Sequence, residues 1–180
     1  MKFLKLILLT GFIFLQSCKE EQPIADSTED TGVTTFYLIR HAEKDRSNPD
    51  DADPELNQKG LGRAMHWAEV LRDANIDAIY STDYFRTSMT AAPTSVKYNI
   101  DVQYYDPRTL DLAQFKADNL NKNVLVVGHS NTTPQMVNML LNEEKYQALD
   151  DSENGALFVV KLVNGKATSS KLIFNCNCPD

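Results

Sequence analysis

The chain has 180 residues, of which 42 % are hydrophobic and 24 % are charged, and these proportions are typical of a soluble globular domain. Its 18 Lys and Arg against 25 Asp and Glu give a net charge of −7. That balance lacks the basic excess that nucleic-acid-binding proteins use against phosphate, so we expect no nucleic-acid partner. Seven Gly, seven Pro and three Cys exclude a collagen-like chain and a disulfide-rich scaffold.

The first residues predict a lipoprotein signal peptide. Two lysines precede an apolar run over 6–15, which is too short to cross a bilayer because a span needs about 20 apolar residues. The tetrapeptide Leu-Gln-Ser-Cys that ends at Cys18 resembles a bacterial lipobox. This resemblance implies that residues 1–17 are removed and that Cys18 is lipidated. The alternative is an ordinary signal peptide followed by a free cysteine.

Export follows from that signal. We expect the mature protein to be lipid-anchored to a bacterial envelope membrane, on its periplasmic face or at the cell surface, with the N-terminal lipid as its only membrane contact. Residues 18–33 are polar and acidic, which predicts a flexible linker. The domain itself is predicted to cover residues 34–175, and residues 176–180 to form a C-terminal tail.

Strand and helix patterns alternate along this domain. The predicted strands cover 35–39, 78–80, 102–104, 124–127, 157–162 and 171–174, and the predicted helices begin after Asn57 and cover 85–97, 110–120 and 132–141. Pro93 predicts a kink or break in its helix. Asn164-Gly165 between the last two strands is typical of a tight hairpin turn. The order predicts an α/β fold, a three-layer sandwich with a mainly parallel central sheet and a C-terminal antiparallel hairpin.

The first predicted helix is amphipathic. Asn57 is expected to cap its N-terminus. Its predicted core-facing positions are Leu61, Ala64, Met65, Ala68 and Leu71. Arg63 is expected at the surface of the same helix.

Two arginines and two histidines follow three of the predicted strands. Arg40 and His41 follow the first strand, Arg86 comes shortly after the second, and His129 follows 124–127. Because ligands of such sheets bind at the carboxyl ends of the strands, these side chains should converge if the strands are neighbours. Guanidinium groups match phosphate oxygens, and a neutral imidazole is a competent nucleophile.

The ordered motifs Arg40-His41-Ala42, Arg86 and Gly128-His129 resemble the histidine phosphatase superfamily, which has the phosphoglycerate-mutase-like fold. Ala42 stands where many members have Gly. The segment 56–60, Leu-Asn-Gln-Lys-Gly, resembles the family's L-T-x-x-G helix entry, with Asn in place of Thr. The resemblance covers residues 34–163.

The resemblance implies a histidine acid phosphatase-type phosphohydrolase. His41 is then the nucleophile that forms a phosphohistidine, which water hydrolyses, and Arg40, Arg86 and His129 complete the phosphate pocket. No cofactor is implied, and a total of three His argues against a metal centre.

The proton donor for the leaving group is the least determined of the catalytic residues. Asp106, after the third strand, is the first choice, and Glu43 is the second. Asp106 can equally be a turn residue before Pro107. Glu43 can instead form an exposed ion pair with a neighbouring cation, Lys44 or Arg46. Some family members lack a strong acid and act on phosphohistidine.

The expected substrate is a phosphomonoester or a phosphohistidine, carried by a small molecule, a glycan or a protein. A short connection after Asp106 predicts a shallow, open pocket without the cap of larger relatives. Two alternatives remain at this point. One is a surface lipoprotein that binds phosphorylated ligands without turnover, and the other is a phosphomutase of the same fold.

Overall fold

A computed structural model describes residues 32–179 as a single six-stranded sheet flanked by four helices. The strands are β1 (Val33–Arg40), β2 (Ala78–Ser81), β3 (Val102–Tyr104), β4 (Asn123–Gly128), β5 (Ala156–Val163) and β6 (Lys166–Ile173). The helices are α1 (Gln58–Val70), α2 (Phe85–Tyr98), α3 (Leu112–Asp118) and α4 (Thr132–Leu141). The predicted signal peptide, the lipidation at Cys18 and nearly all of the linker lie outside the described residues.

The strand order across the sheet is β3-β2-β4-β1-β5-β6. The strands β3, β2, β4 and β1 are parallel, whereas β5 is antiparallel to β1 and β6 is antiparallel to β5. In the hairpin between β5 and β6, Asn164 and Gly165 have φ values of 49° and 74°. Both lie in the left-handed region that a tight hairpin turn requires, as the sequence predicted. The predicted α/β architecture is confirmed.

Two apolar layers cover the two faces of the sheet. On one face, Phe36 and Leu38 of β1 pack with residues of α3 and α4. On the other face, Ile39 packs with Trp67 of α1, with Leu71 just after α1 and with Ala91 of α2. Because side chains alternate along a strand, β1 contributes to both layers and lies at the centre of the sandwich.

Helix α1 faces the core differently from the prediction. The side chain of Asn57 accepts a hydrogen bond from the amide of Gly60, so the predicted cap is present. The predicted core positions Ala64, Ala68 and Leu71 are buried, whereas Leu61 and Met65 are exposed. The fully buried Trp67 explains the rotation, because an indole ring buries far more apolar area than either of them. The same rotation buries Arg63, which was predicted at the surface.

Three other boundaries differ from the prediction. Helix α2 continues through Pro93 without a break. Helix α3 is shorter than predicted because Asp111 caps it, accepting hydrogen bonds from the amides of Ala113 and Gln114. Strand β6 begins at Lys166, five positions before the predicted strand.

Two further features lie outside the sheet and its packing: a disulfide near the C-terminus and the hydropathy of the helices. Cys176 and Cys178 form a disulfide. Within residues 32–179, no helix combines the length and the hydropathy needed to cross a membrane.

Candidate active site

The carboxyl ends of β1, β2 and β4 form the floor of one cavity. The amide of His41 donates to the carbonyl of Gly128 at 2.9 Å, so the end of β1 lies beside the end of β4. Strand β2 pairs with the other edge of β4. Arg40, His41, Arg86 and His129 all line this cavity, whose volume is about 840 Å³. We call it the phosphate pocket, and it brings the four predicted site residues together.

His41 is held in the tautomer that a nucleophile needs. Its Nδ1 lies 2.7 Å from the carbonyl oxygen of Ala42. Because a carbonyl only accepts hydrogen bonds, Nδ1 carries the proton and Nε2 keeps its lone pair. Burial lowers the pKa of His41 to about 3, and the nearby charge of Arg40 acts in the same direction. The imidazole is therefore neutral near pH 7.

The backbone around His41 is anchored on both sides. The side-chain amide of Asn154 donates to the carbonyl of His41 at 3.0 Å. The amide of Ala42 donates to Oγ1 of Thr90 on α2 at 2.9 Å. These bonds fix His41 relative to α2 and to the segment just before β5, which is the kind of positioning that an in-line attack by its imidazole would require.

His129 lies beside His41 and is also neutral. The two imidazole centroids are 5.5 Å apart. Nε2 of His129 and Oγ1 of Thr82 share a hydrogen bond of 2.9 Å, and the ring of Tyr84 packs edge-on at 5.0 Å. Burial, followed by the charges of Arg86 and Arg40, lowers the pKa of His129 to about 4. The second imidazole thus adds hydrogen-bonding capacity to the pocket without a charge.

Arg40 is a buried cation with an identified counter-ion. Its Nη1 donates to the carbonyls of Asp150 and Asp151, both at 2.9 Å, and its Nη2 donates to Oδ1 of Asp151 at 2.7 Å. Asp151 also accepts a bond of 2.6 Å from Nη2 of Arg46. The Nε of Arg40 is buried and has no hydrogen-bond partner among residues 32–179. The role of Asp151 was not predicted from the sequence, because an acidic residue in a polar loop carries no signal of its own.

Arg86 is oriented by two contacts at the start of α2. Its Nη1 donates to Oδ1 of Asp53 at 3.1 Å, and its guanidinium carbon lies 4.3 Å from the centre of the Tyr84 ring. Asp53 also accepts a hydrogen bond from the amide of Phe85, which is the first residue of α2. One carboxylate therefore joins the loop before α1 to the helix that carries Arg86.

The first-choice proton donor is held as a carboxylate. Asp106 lines the rim of the phosphate pocket, and its oxygens accept three bonds of 2.7–3.2 Å from the guanidinium of Arg108. These hydrogen bonds lower the pKa of Asp106 to about 2. At pH 7 such a carboxyl is ionised. This geometry argues against Asp106 as the acid of the resting enzyme.

Glu43, the second choice for the proton donor, also has a carboxylate that is already hydrogen-bonded. Its carboxylate accepts three hydrogen bonds of 2.7–2.9 Å from Arg63, and both side chains are largely buried. The expected ion pair with Lys44 or Arg46 is therefore wrong, because the rotation of α1 brings Arg63 to Glu43 instead. Bidentate pairing of this kind is typical of a structural link between elements.

A second cavity adjoins the phosphate pocket. Its volume is about 580 Å³, and it shares four lining residues with the phosphate pocket, namely Arg40, His41, Lys44 and Asp151. We call it the side lobe. Among residues 32–179, no group of three or more His, Cys, Asp or Glu side chains is placed to hold a metal ion. Residues 105–111 connect β3 directly to α3, so no inserted element covers the pocket at this connection.

Comparison with known proteins agrees with this geometry. The model of the histidine phosphatase superfamily (branch 1) matches residues 36–107, which include Arg40, His41 and Arg86. The match spans 72 of the 180 residues and supports the resemblance to the histidine phosphatase superfamily that the sequence motifs predicted. His129 lies beyond the matched segment, but the parallel pairing of β1 with β4 places it beside the superfamily's Arg-His motif.

Solved structures share the superfamily fold at low sequence identity. A phosphoglycerate mutase from Bacillus anthracis is 15% identical, with a TM-score of 0.63, covering 80% of this chain and 94% of its own. The protein histidine phosphatase SixA bound to tungstate is 15% identical, with a TM-score of 0.62 and coverages of 77% and 96%. A mycobacterial glucosyl-3-phosphoglycerate phosphatase is 15% identical, with a TM-score of 0.58 and coverages of 79% and 99%. No curated protein matches the chain by sequence.

Proposed function

We propose that this protein is a phosphohydrolase that acts through a phosphohistidine intermediate on His41. The observation that carries the proposal is a neutral His41, with Nδ1 bound to the Ala42 carbonyl, inside a cavity that Arg40, Arg86 and His129 also line. A lone pair on Nε2 together with two guanidinium groups suits attack on a phosphoryl group.

The reaction has two displacements. In the first, Nε2 of His41 attacks phosphorus and forms a P–N bond, while the bond from phosphorus to the leaving group breaks. In the second, water attacks phosphorus, the P–N bond breaks and His41 returns to its neutral form. Arg40, Arg86 and His129 stabilise charge on the equatorial oxygens in both steps, so positioning and electrostatics supply most of the catalysis.

The proposed substrates have leaving groups that need little protonation. Neither Asp106 nor Glu43 is poised as an acid, because Arg108 and Arg63 occupy their oxygens. Aryl phosphates release a stabilised oxyanion. Phosphohistidine releases an imidazole, which binds a proton itself with a pKa of about 6.5. The fold shared with SixA, a protein histidine phosphatase, also supports the second class.

The test is hydrolysis of an aryl phosphate and of phosphohistidine by the purified protein in EDTA. We expect turnover by the wild type and a loss of at least about 10³-fold in H41A, because the covalent route is removed. The matched control is H66Q, since His66 is the one histidine that does not line the phosphate pocket.

Two results would overturn the proposal. One is absence of turnover in the wild type on both substrates, accompanied by tight binding of inorganic phosphate, which favours the non-catalytic alternative. The other is phosphoryl transfer to a second substrate hydroxyl in preference to water, which favours the mutase alternative.

We also propose that Cys18 is lipidated and that the protein is anchored outside the cytoplasm. The support is the basic start, the short apolar run and the lipobox-like tetrapeptide that ends at Cys18. The test compares the wild type with C18S in membrane and soluble fractions of a bacterial host. We expect the wild type in the membrane fraction after signal cleavage, and a shift of C18S to the soluble fraction. Equal partitioning of both proteins would contradict the anchor.

A further inference from the structure

Lys44 lies at the junction between the phosphate pocket and the side lobe, and it lines both. It is three residues beyond His41, in a short extended segment. A bridge between the backbones of Lys44 and Leu56 pins this segment. The hydrogen bond from the amide of Ala42 to Oγ1 of Thr90 fixes the residues that precede this segment. The backbone of Lys44 is thereby positioned by the same contacts that position the nucleophile.

The ammonium group of Lys44 has no acceptor among residues 32–179, although the residue is half-buried. Two other cations that line the side lobe, Arg40 and Arg46, share the carboxylate of Asp151. Asp151 is therefore already engaged by two guanidinium groups. An ammonium group that lines both cavities and has no acceptor among the described residues can donate to an anion that enters either cavity.

The position of Lys44 relative to the catalytic imidazoles supports this reasoning. Its charge acts with those of Arg86 and Arg40 to lower the pKa of His129. Lys44 is therefore within electrostatic reach of the phosphate pocket. The transferred phosphoryl group, however, already has two guanidinium groups and two imidazoles around it. The unused ammonium at the mouth of the side lobe remains to be explained.

We propose that Lys44 binds a second anionic group of the substrate, a carboxylate or a second phosphate carried a few bonds from the phosphoryl group that His41 attacks. This inference rests on the proposed hydrolase function and narrows its substrate class. The phosphoryl group lies in the phosphate pocket, and the second anion accepts a charge-assisted hydrogen bond from Nζ at the border of the side lobe.

The test measures competitive inhibition of aryl-phosphate hydrolysis by matched phosphonates. Propylphosphonate and 3-phosphonopropionate are similar in size, but only the second has a carboxylate, and 4-phosphonobutyrate extends the reach by one methylene. In the wild type we expect at least one carboxylated phosphonate to bind about tenfold more tightly than propylphosphonate. In K44Q this ratio should fall to near 1, and in K44R most of it should remain.

The ratio is taken within each variant, so a general loss of affinity for phosphonates cancels. The control variant is K97Q, because Lys97 forms an ion pair with Glu69 on α1 and lines neither cavity. Its ratio should equal that of the wild type. The inference is wrong if no carboxylated phosphonate binds more tightly than propylphosphonate, or if K44Q weakens all three compounds equally. Absence of aryl-phosphate hydrolysis in the wild type would instead contradict the proposed function.

Discussion

At the residue scale, the protonation state of two imidazoles decides what the pocket can do. Burial and the flanking guanidinium groups lower the pKa of His41 to about 3 and that of His129 to about 4. A protonated His41 has no lone pair on Nε2, so the nucleophile depends on this environment. Two neutral rings and the guanidinium groups of Arg40 and Arg86 line the same pocket, and such groups can donate hydrogen bonds to a dianionic phosphoryl group.

The first prediction concerns these two imidazoles. NMR titration of the free protein should show His41 and His129 unprotonated from pH 7 down to about pH 5. In the unfolded chain both have a pKa of about 6.5, so the unfolded chain binds more protons at lower pH. The contribution of these two groups to the free energy of unfolding is therefore fully present above pH 6.5. It is lost as the pH falls towards their folded pKa values of about 4 and about 3. A titration midpoint near 6.5 in the folded protein would contradict the prediction.

The second prediction concerns Asp106. Because Arg108 holds this carboxyl ionised, D106N should slow alkyl and aryl phosphates by similar factors, within about threefold of each other. The measurement is kcat on both substrates for the wild type and the variant. A selective loss on the alkyl phosphate, whose leaving group needs a proton, would restore Asp106 as the general acid. Measuring kcat on both substrates for E43Q as well shows whether Asp106 or Glu43 is the general acid.

At the element scale, buried ion pairs determine how the loops are attached to the helices. Arg63 on α1 joins the segment after β1 through Glu43, and its Nη1 also donates to the carbonyl of Phe174 beyond β6. Asp53 joins the loop before α1 to the start of α2. Through these contacts, α1 holds the segment that follows His41, and the loop before α1 is held to the start of α2, which carries Arg86.

The third prediction is that R63A destabilises the protein by about 3 kcal/mol, because it leaves the largely buried Glu43 without its partner. Denaturant unfolding measures the change. The matched control is R72A, whose ion pair with Asp73 is exposed, and it should change the free energy of unfolding by less than about 0.5 kcal/mol. Equal effects of the two substitutions would show that the Glu43 pair is not structural.

At the scale of the whole molecule, one central strand joins both apolar layers and the active site. Strand β1 pairs with β4 on one side and with β5 on the other, and it ends at Arg40 beside His41. Both faces of β1 are covered by helices. His41 therefore directly follows a central and largely buried strand of the sheet.

The fourth prediction is that L38A lowers the free energy of unfolding by about 3 kcal/mol, because Leu38 is fully buried at the centre of β1. Since the domain has one continuous sheet, unfolding should remain a single transition. V33A is the matched control on the same strand. Because Val33 is 44% exposed, this substitution should lower the free energy of unfolding much less than L38A. A separate unfolding transition for part of the domain would contradict this description.

Much of the site follows from local sequence patterns. A run of β-forming residues before His41 or His129 identifies a strand, and the carboxyl ends of parallel strands meet at one edge of the sheet. Arg86 follows the second strand in the same way. Asn164-Gly165 and Asn57 similarly specify a turn and a helix cap from their own side chains. These features depend on residues that are close together in the chain.

The partners of the charged side chains depend on the tertiary structure. Arg40 meets Asp151 across 111 positions, and Arg86 meets Asp53 across 33, so no local pattern relates them. The burial of Trp67 rotates α1 and brings Arg63 to Glu43. The sequence by itself determined the elements and the order of the predicted site residues, because short-range periodicity and turn chemistry encode both. Packing decided the counter-ions, including the arginine partners of Asp106 and Glu43, because a charge can find its partner only after the sheet and helices have assembled.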